Sequence, residues 1–296
     1  MAYKEYEDPR ELRSVQLAVT EILEEFCRVC EGLGVRYVVY GGTAIGAVRH
    51  RGFIPWDDDI DVCMPREDYE RFLSAAPAVL RDRFEIANAR TEADFPSTYS
   101  QLTLKGTRFV PEYYKDADYQ PRLNIDMFPL DNAADDPRIL RSQLRRTWLW
   151  GRLKFLRATP APYLEVEGWK RRMILAVCSL AHGTLKMVRI RPVTLQWHWE
   201  KAARECEHTR TRLLADFSDR SPMDWAVSLD DLFPAVDAQF EDLTVKLPRN
   251  YDEILTRGYG NYMELPPVEK RKNHYPHVVD LGGSDRSGHG SQREGL

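Results

Sequence analysis

The chain alternates between segments with a helical period and short apolar segments that suit strands. Residues 10–31 place apolar side chains three and four positions apart, the pattern of a helix with one buried face. Gly32 and Gly34 end this predicted helix, a hydrophobic strand follows over residues 35–40, and residues 44–49 fit a short second helix. The sequence therefore predicts a helix, a strand and a helix at the start of the fold.

The same two patterns continue to the end of the chain. Further helices are predicted at residues 66–80, roughly 194–217 and 251–257. Further strands are predicted at residues 84–86, 99–104, 108–110, 123–130 and 243–247, with residues 105–107 as a tight turn between two of them. This mixture predicts an α/β (α+β) fold.

The polar positions that stand out lie between Tyr40 and Arg66. Gly41-Gly42-Thr43 follows the first strand, where missing Cβ atoms, free amides and the start of a helix allow a phosphate to approach the backbone. Asp59 and Asp61 come next, separated by one apolar residue, so on a strand both would point to the same side. Two adjacent carboxylates repel each other unless a cation lies between them, which predicts a divalent metal ion.

Two other interpretations of this acidic run are less consistent with the sequence. A solvated loop is the ordinary explanation of consecutive acids, but apolar residues such as Trp56 and Ile60 alternate with them and favour burial. A calcium loop of the EF-hand type shares the spacing of its first acids. It fails at Val62, where a glycine is required, and at Asp68, where the bidentate glutamate belongs.

Composition narrows the class of protein. The chain has 296 residues, 43% hydrophobic and 30% charged, and a net charge of −4, which fits a globular enzyme and does not indicate a nucleic-acid partner. Five scattered cysteines and no recognisable secretory signal favour a reducing cytoplasm. Cys27 and Cys30 have C-x-x-C spacing, but they lie in a helical pattern without a second pair, so packing explains them better than zinc or redox chemistry.

Residues 138–199 differ from the rest of the chain in charge. They contain thirteen lysines or arginines against two acids, together with five tryptophans. The apolar run at 173–180 is too short to cross a bilayer. Two interpretations stay open, an amphipathic insertion that contacts an anionic membrane and a basic helical subdomain packed on the core.

Two stretches of the sequence resemble known families. Gly-Gly-Thr followed by Asp-Ile-Asp resembles the signature of polymerase-β-like nucleotidyltransferases, and GAVRHRGFIPWDDDIDVCMPR resembles the LicD family of phosphocholine transferases. Residues 231–271 resemble LicD proteins again, and the basic segment is unmatched. The resemblance implies a nucleotidyltransferase core with a mixed sheet. We expect a catalytic core at 1–134, a helical basic insertion at 135–217, a part completing the catalytic unit at 218–281, and a disordered tail at 282–296.

The resemblance also implies a set of site residues. Asp59 and Asp61 are the expected primary metal ligands, Asp126 in an apolar strand completes the catalytic site and accepts the acceptor's proton, and Asp57 is a further ligand. Asp58 is expected to point to the opposite face. Two Mg²⁺ or Mn²⁺ ions are the expected cofactors. The predicted substrate-binding residues are Gly41, Gly42, Thr43, Arg49, Lys105 and His274.

The activity that the resemblance implies is transfer of phosphocholine or a related phosphoalcohol. The donor would be a CDP-alcohol and the acceptor a hydroxyl of a lipid-linked or free cell-surface glycan, such as teichoic acid or lipopolysaccharide, in the cytoplasm or at the inner face of the membrane. Nucleotidyl transfer to another hydroxyl and non-catalytic glycan binding at a membrane surface are the alternatives. The sequence does not identify a choline-binding cage, because aromatic residues make up 11% of the chain and offer too many candidates.

Overall fold

The structure, a computed structural model, describes residues 6, 8–111, 114–115, 117–160, 164, 166 and 168–282. The described helices are α1 (Pro9–Leu33), α2 (Gly41–His50), α3 (Arg66–Ala75), α4 (Pro137–Ala158), α5 (Gly168–Met187), α6 (Pro192–Ala203), α7 (Leu229–Leu232) and α8 (Tyr251–Tyr259). The described strands are β1 (Val38–Val39), β2 (Asp61–Pro65), β3 (Phe84–Ala87), β4 (Ser100–Leu104), β5 (Arg108–Pro111), β6 (Asn124–Ala133), β7 (Leu213–Ala215), β8 (Val236–Phe240), β9 (Leu243–Leu247) and β10 (Pro276–Asp280).

A mixed sheet lies at the centre of the fold. Its strand order is β1-β2-β6-β4-β3, with β2 and β6 parallel and the other neighbours antiparallel. The second half of β6 pairs with β7, while β8 pairs with β9 and β10 with β5 in separate two-stranded sheets. The predicted α/β class with a mixed sheet is confirmed.

Several predicted elements have different bounds. The second helix begins at Gly41 rather than residue 44, because the extended Tyr40 already precedes its first turn. The helix predicted at 194–217 ends at Ala203, since residues 213–215 instead pair with the outer half of β6. The turn at 105–107 does not join a hairpin. Both edges of β4 are taken by β3 and β6, so β5 pairs with β10.

The main core packs α1 against the sheet and the C-terminal elements. Along α1 the predicted apolar face is confirmed: Val15, Val19, Ile22, Phe26 and Val29 are buried, Asp8 caps the first turn, and Gly34 ends the helix in the left-handed region. The same core includes side chains of β8, β9 and α8. Residues far apart in the sequence thus share one hydrophobic interior.

The helices α4, α5 and α6 form the basic part of the chain. Helix α6 packs along α4, and its Trp199 is buried against Ala133 and Phe217. Helix α5 is different, because Leu185 is the one buried residue in its full described length. In the part of the chain that the structure describes, no single helix is long and apolar enough to span a membrane, while α5 and residues 192–206, bent by 106°, pass that test together. The predicted tail at 282–296 lies outside the described residues beyond Gly282.

Candidate active site

The glycine turn and the acidic strand are joined by hydrogen bonds. The amide of Asp61 donates to Thr43 Oγ1 (2.9 Å), and the amide of Tyr40 donates to the Asp61 carbonyl (2.9 Å). Gly41 has φ +53°, and a Cβ there would lie 3.5 Å from Asp61 Oδ2. The first turn of α2 therefore lies directly beside the start of β2, as the sequence motif predicted.

Gly42 leaves room for a second carboxylate. A Cβ on Gly42 would lie 2.9 Å from Asp57 Oδ2, closer than side-chain carbons normally approach. The Asp57 carbonyl accepts a hydrogen bond from Gln16 Nε2 (2.9 Å), which holds this segment against α1. The Asp57 carboxylate lies within hydrogen-bonding distance of Asp59. Asp59 itself precedes β2 rather than lying in it, so strand alternation does not decide its direction.

Asp126 completes the carboxylate group from the neighbouring strand. It is the register partner of Asp61 on the parallel pair β2–β6, and its amide donates to the Ile60 carbonyl (2.9 Å). Its Oδ1 accepts hydrogen bonds from Gln101 Nε2 and Asn124 Nδ2, both at 2.8 Å. Sequence reasoning missed these two amides. Asn124 had a signal, because it lies two residues before Asp126 on the same face of the strand, whereas Gln101 comes from another strand.

Burial and mutual repulsion raise the pKa values of these acids. Burial, followed by the charges of Asp59 and Asp126, raises the pKa of Asp61 well above its ordinary value. Burial and Asp59 do the same to the pKa of Asp57. Burial raises the pKa of Asp126 to about 6, although the Gln101 hydrogen bond opposes the change. These carboxylates are costly to ionise together without a positive charge among them.

His274 lies beside the carboxylates, and its contact with Asp58 contradicts the expected direction of that side chain. Its Nδ1 lies 3.4 Å from a carboxylate oxygen of Asp58 and 3.4 Å from one of Asp59. Asp58 therefore does not point away from the site: it is buried, accepts from Tyr6 Oη (2.7 Å) and accepts from the His274 amide (2.9 Å). The reason is that Asp58 and Asp59 precede the regular strand. Burial opposes protonation of His274, but Asp59 and Asp58 raise its pKa well above the ordinary value.

The donor atoms fit a hard divalent cation. All four predicted ligands offer carboxylate oxygens, the donors that Mg²⁺ and Mn²⁺ prefer. Among the described residues, the group whose donor atoms all lie within 4.8 Å of one another is Asp58, Asp59 and His274, which overlaps the predicted set only at Asp59. Burial and neighbouring acids also raise the pKa values of Asp57, Asp61 and Asp126, so a positive charge beside these three carboxylates would be favourable as well.

The two predicted phosphate-binding cations make hydrogen bonds elsewhere. The Arg49 guanidinium donates to the carbonyls of Tyr262 and Glu264, which ties α2 to the segment after α8. The Lys105 ammonium donates to the Asp82 carbonyl (2.9 Å) in the exposed turn after β4. In the described structure neither cation lines the cavities that contain the carboxylates.

Three cavities meet around Tyr99. One of about 70 Å³ contains Asp59, Asp126 and His274. A second of about 300 Å³ lies beside Gly41 and Asp61, and a third of about 210 Å³ extends to α4. The second cavity is lined by aromatic side chains and acids that sequence reasoning did not single out: Tyr40, Tyr99, Phe128, Asp216, Asp219, Trp225 and Tyr259. They come from distant segments, so no local pattern identified them.

The chain is similar to a family of nucleotidyltransferase domains and to two characterised transferases. Residues 34–139 match the nucleotidyltransferase domain of the LicD/FKTN/FKRP family. The chain is 28% identical over 267 residues to the lipopolysaccharide cholinephosphotransferase LicD of Haemophilus influenzae, covering 89% of this chain and 96% of that protein. It is 37% identical over 82 residues to the ribitol 5-phosphate transferase FKRP of Homo sapiens, covering 26% of this chain and 17% of that protein. The predicted family is confirmed: the chain carries, over residues 34–139, a nucleotidyltransferase domain of the LicD/FKTN/FKRP family.

Proposed function

We propose that this chain transfers phosphocholine from CDP-choline to a hydroxyl of a cell-surface glycan precursor of the lipopolysaccharide class. The observation that carries the proposal is the pairing of Asp61 with Asp126 beside Gly41, in a chain that resembles a cholinephosphotransferase over 89% of its length. The catalytic unit would comprise residues 1–134 and 218–281, with residues 135–217 as the insertion. The site would lie at the cytoplasmic face of the membrane.

The proposed metal ligands are Asp57, Asp59, Asp61 and Asp126. One or two Mg²⁺ or Mn²⁺ ions bound there would neutralise the diphosphate and stabilise the charge that develops on it. The raised pKa values of Asp57, Asp61 and Asp126 support the assignment, because each of these three carboxylates is held where a positive charge would stabilise its ionised form.

The protein's own groups perform the remaining steps. The acceptor oxygen attacks the phosphorus that bears choline, the bond from that phosphorus to the CMP oxygen breaks, and CMP leaves with the electron pair. The proton of the acceptor hydroxyl passes to Asp126, which lies beside Asp61 on the neighbouring strand. Hydrogen bonds from Gln101 and Asn124 to Oδ1, together with one from Tyr99, orient this carboxylate. The amides at the start of α2 face the phosphates.

The test is product analysis with a panel of donors. The purified protein is incubated with lipopolysaccharide, Mg²⁺ and, in turn, CDP-choline, CDP-ethanolamine, CDP-glycerol and CDP-ribitol. We expect CMP release and transfer of the alcohol phosphate, with CDP-choline preferred. Cytidylate retained on the acceptor, with the alcohol phosphate released from the CDP-alcohol, would instead identify a nucleotidyltransferase.

Two variants and a control complete this test. Asp59→Asn and Asp61→Asn are expected to lose more than nine tenths of the activity, at least ~1.4 kcal/mol of transition-state stabilisation, while the fold is retained. Asp82→Asn removes an exposed carboxylate outside the site and is expected to keep wild-type activity. Retention of activity by either site variant would contradict the metal assignment.

A further inference from the structure

The cavity beside Asp61 is enclosed by a continuous chain of aromatic rings. Tyr99 lies 4.4 Å from Phe128 between ring centroids, and Phe128 lies 5.9 Å from Tyr40. Tyr40 lies 5.7 Å from Trp225, which lies 5.1 Å from Tyr259. All five rings line the same volume of about 300 Å³, at the lower end of the range for small-molecule sites, roughly 300–1,000 Å³.

The angles between these rings describe a box rather than a slot. Successive rings are inclined by 49°, 57°, 73° and 59°, so their faces point in different directions around the cavity. A flat nucleobase is held best between parallel faces. A compact cation with no preferred plane can contact several inclined faces at once, and aromatic cages of this kind recognise quaternary ammonium groups.

The charges that line the cavity also favour a cation. Besides Asp61, the cavity is lined by Asp216 and Asp219, against the exposed side chain of Arg220. Asp216 is buried and accepts hydrogen bonds from the amide and hydroxyl of Ser218, which fix its carboxylate in place. A cation bound in the cavity would stabilise this buried carboxylate.

Local packing holds the walls of the box in position. Trp225 lies directly on α8, because a Cβ at Gly258 would fall 2.0 Å from its ring. Arg257 binds the carbonyls on either side of Trp225, those of Asp224 and Ala226. The Tyr40 hydroxyl is buried and has no hydrogen-bond partner among the described residues, so it is available to a bound ligand.

We propose that Tyr40, Tyr99, Phe128, Trp225 and Tyr259 form the site that binds the trimethylammonium head of the donor. This inference rests on the proposed function, since it names the part of the donor that the same active site selects. It places choline next to Asp61 and Gly41, with the attached phosphate reaching the start of α2. It also predicts which donors bind weakly. A donor whose alcohol carries no positive charge makes no favourable electrostatic contact with the ring faces and the carboxylates.

The binding test uses free choline and needs neither metal nor turnover. Calorimetric titrations in EDTA compare choline, tetramethylammonium and 3,3-dimethyl-1-butanol, the neutral isostere of choline. We expect the two cations to bind with similar affinity and the isostere at least tenfold more weakly. Equal binding of the isostere, or no binding of choline at millimolar concentration, would overturn the proposal.

Variants distinguish choline binding at this site from binding of the nucleotide part of the donor and from the transfer activity. Trp225→Leu is expected to weaken choline binding at least tenfold, Trp225→Phe to restore most of it, and Trp197→Leu, an exposed tryptophan on α6, to leave it unchanged. CMP binding should survive in Trp225→Leu. Loss of CMP binding with choline binding intact would instead assign the box to the nucleobase. The proposed function has a separate readout, because absence of CMP release from every donor contradicts the activity whatever the choline titrations show.

Discussion

Asp61 and Asp126 are register partners on the adjacent parallel strands β2 and β6. Neighbouring strands lie about 4.8 Å apart, so the two carboxylates leave the sheet side by side. Each is partly buried, and the charge of Asp126 contributes to the raised pKa of Asp61. The sheet therefore holds two acids in a position that costs folding free energy, which indicates a role other than stability.

This relationship predicts an unusual pH dependence for Asp126. Its pKa rises from 3.8 to about 6 in the folded state, so the folded protein binds a proton more tightly than the unfolded chain. The contribution to the free energy of unfolding is fully present below pH 3.8 and is lost as the pH rises through 6. The loss is on the order of 2–3 kcal/mol. In EDTA at pH 7 we therefore expect Asp126→Asn to be more stable than the wild type.

Urea unfolding of both proteins between pH 4 and pH 8 measures this difference. The advantage of Asp126→Asn should be small near pH 4, grow towards pH 6 and stay constant above it. The variant keeps an oxygen that accepts from Gln101 and Asn124, so packing changes little. Added Mg²⁺ should stabilise the wild type and have less effect on the variant. A pH-independent difference would contradict the assigned shift.

A second prediction concerns Asp58, whose orientation was wrongly predicted. Asp58→Asn replaces a buried oxygen with an amide group that faces two donors, Tyr6 Oη and the His274 amide. We expect a loss of about 1–3 kcal/mol in the free energy of unfolding and weaker activity, because His274 is no longer held beside Asp59. Tyr6→Phe removes one of the two hydrogen bonds and should cost about 1 kcal/mol.

Melting curves and donor turnover for the two single variants and the double variant measure this coupling. The effects of Tyr6→Phe and Asp58→Asn should not add, because both remove the same hydrogen bond. Full stability and full activity in Asp58→Asn would show that this carboxylate neither stabilises the fold nor positions His274.

Local sequence pattern predicted the elements of this site better than their contacts. The lone acid of an apolar strand identified Asp126, and the Gly-Gly-Thr turn identified the start of α2. The register that pairs Asp126 with Asp61 depends on the parallel pairing of β6 with β2, two strands that lie far apart in the sequence. The prediction for the side-chain direction of Asp58 was wrong for a local reason. Side chains alternate between faces only within a strand, and β2 begins at Asp61.

The aromatic box illustrates the limit of local pattern most clearly. Tyr40, Tyr99, Phe128, Trp225 and Tyr259 come from five separate segments, and each fits an ordinary core position when considered alone. Only the fold brings these rings together, so that the centroids of neighbouring rings along the cavity wall lie within 6 Å of each other.

A third prediction tests the space that Gly42 leaves for Asp57. Gly42→Ala places a Cβ 2.9 Å from Asp57 Oδ2, so the carboxylate must move, and Asp57 adjoins Asp59. We expect donor turnover to fall at least tenfold. Gly32→Ala is the matched control, because its Cβ meets nothing within 4 Å in α1 and should stabilise the helix by roughly 0.5–1 kcal/mol. Turnover near the wild-type level in Gly42→Ala would show that the position of Asp57 is unimportant.

The last prediction concerns the exposed apolar stripe of α5. Trp169, Met173, Val177 and Leu180 are 69%, 54%, 63% and 73% exposed, at spacings of four, four and three residues that place them on one face of the helix. The exposed cations Lys170, Arg171 and Arg172 lie in its first turns. An exposed apolar stripe beside cations suits the surface of an anionic bilayer, where each nearby cation contributes about 1 kcal/mol and tryptophan favours the headgroup region.

We expect α5 to bind the membrane surface and so bring the site to a lipid-linked acceptor. Co-sedimentation with vesicles tests this: binding should require anionic lipid, weaken as salt screens the surface charge, and fall when residues 170–172 are changed to Glu. Leu180→Glu should also weaken it, because the stripe itself enters the interface. Reversing the exposed cations Arg71, Arg249 and Lys270, which lie outside the basic segment, changes net charge equally and should have little effect. No binding to anionic vesicles at low salt, or equal loss in this control, would show that α4, α5 and α6 are a packed basic subdomain instead.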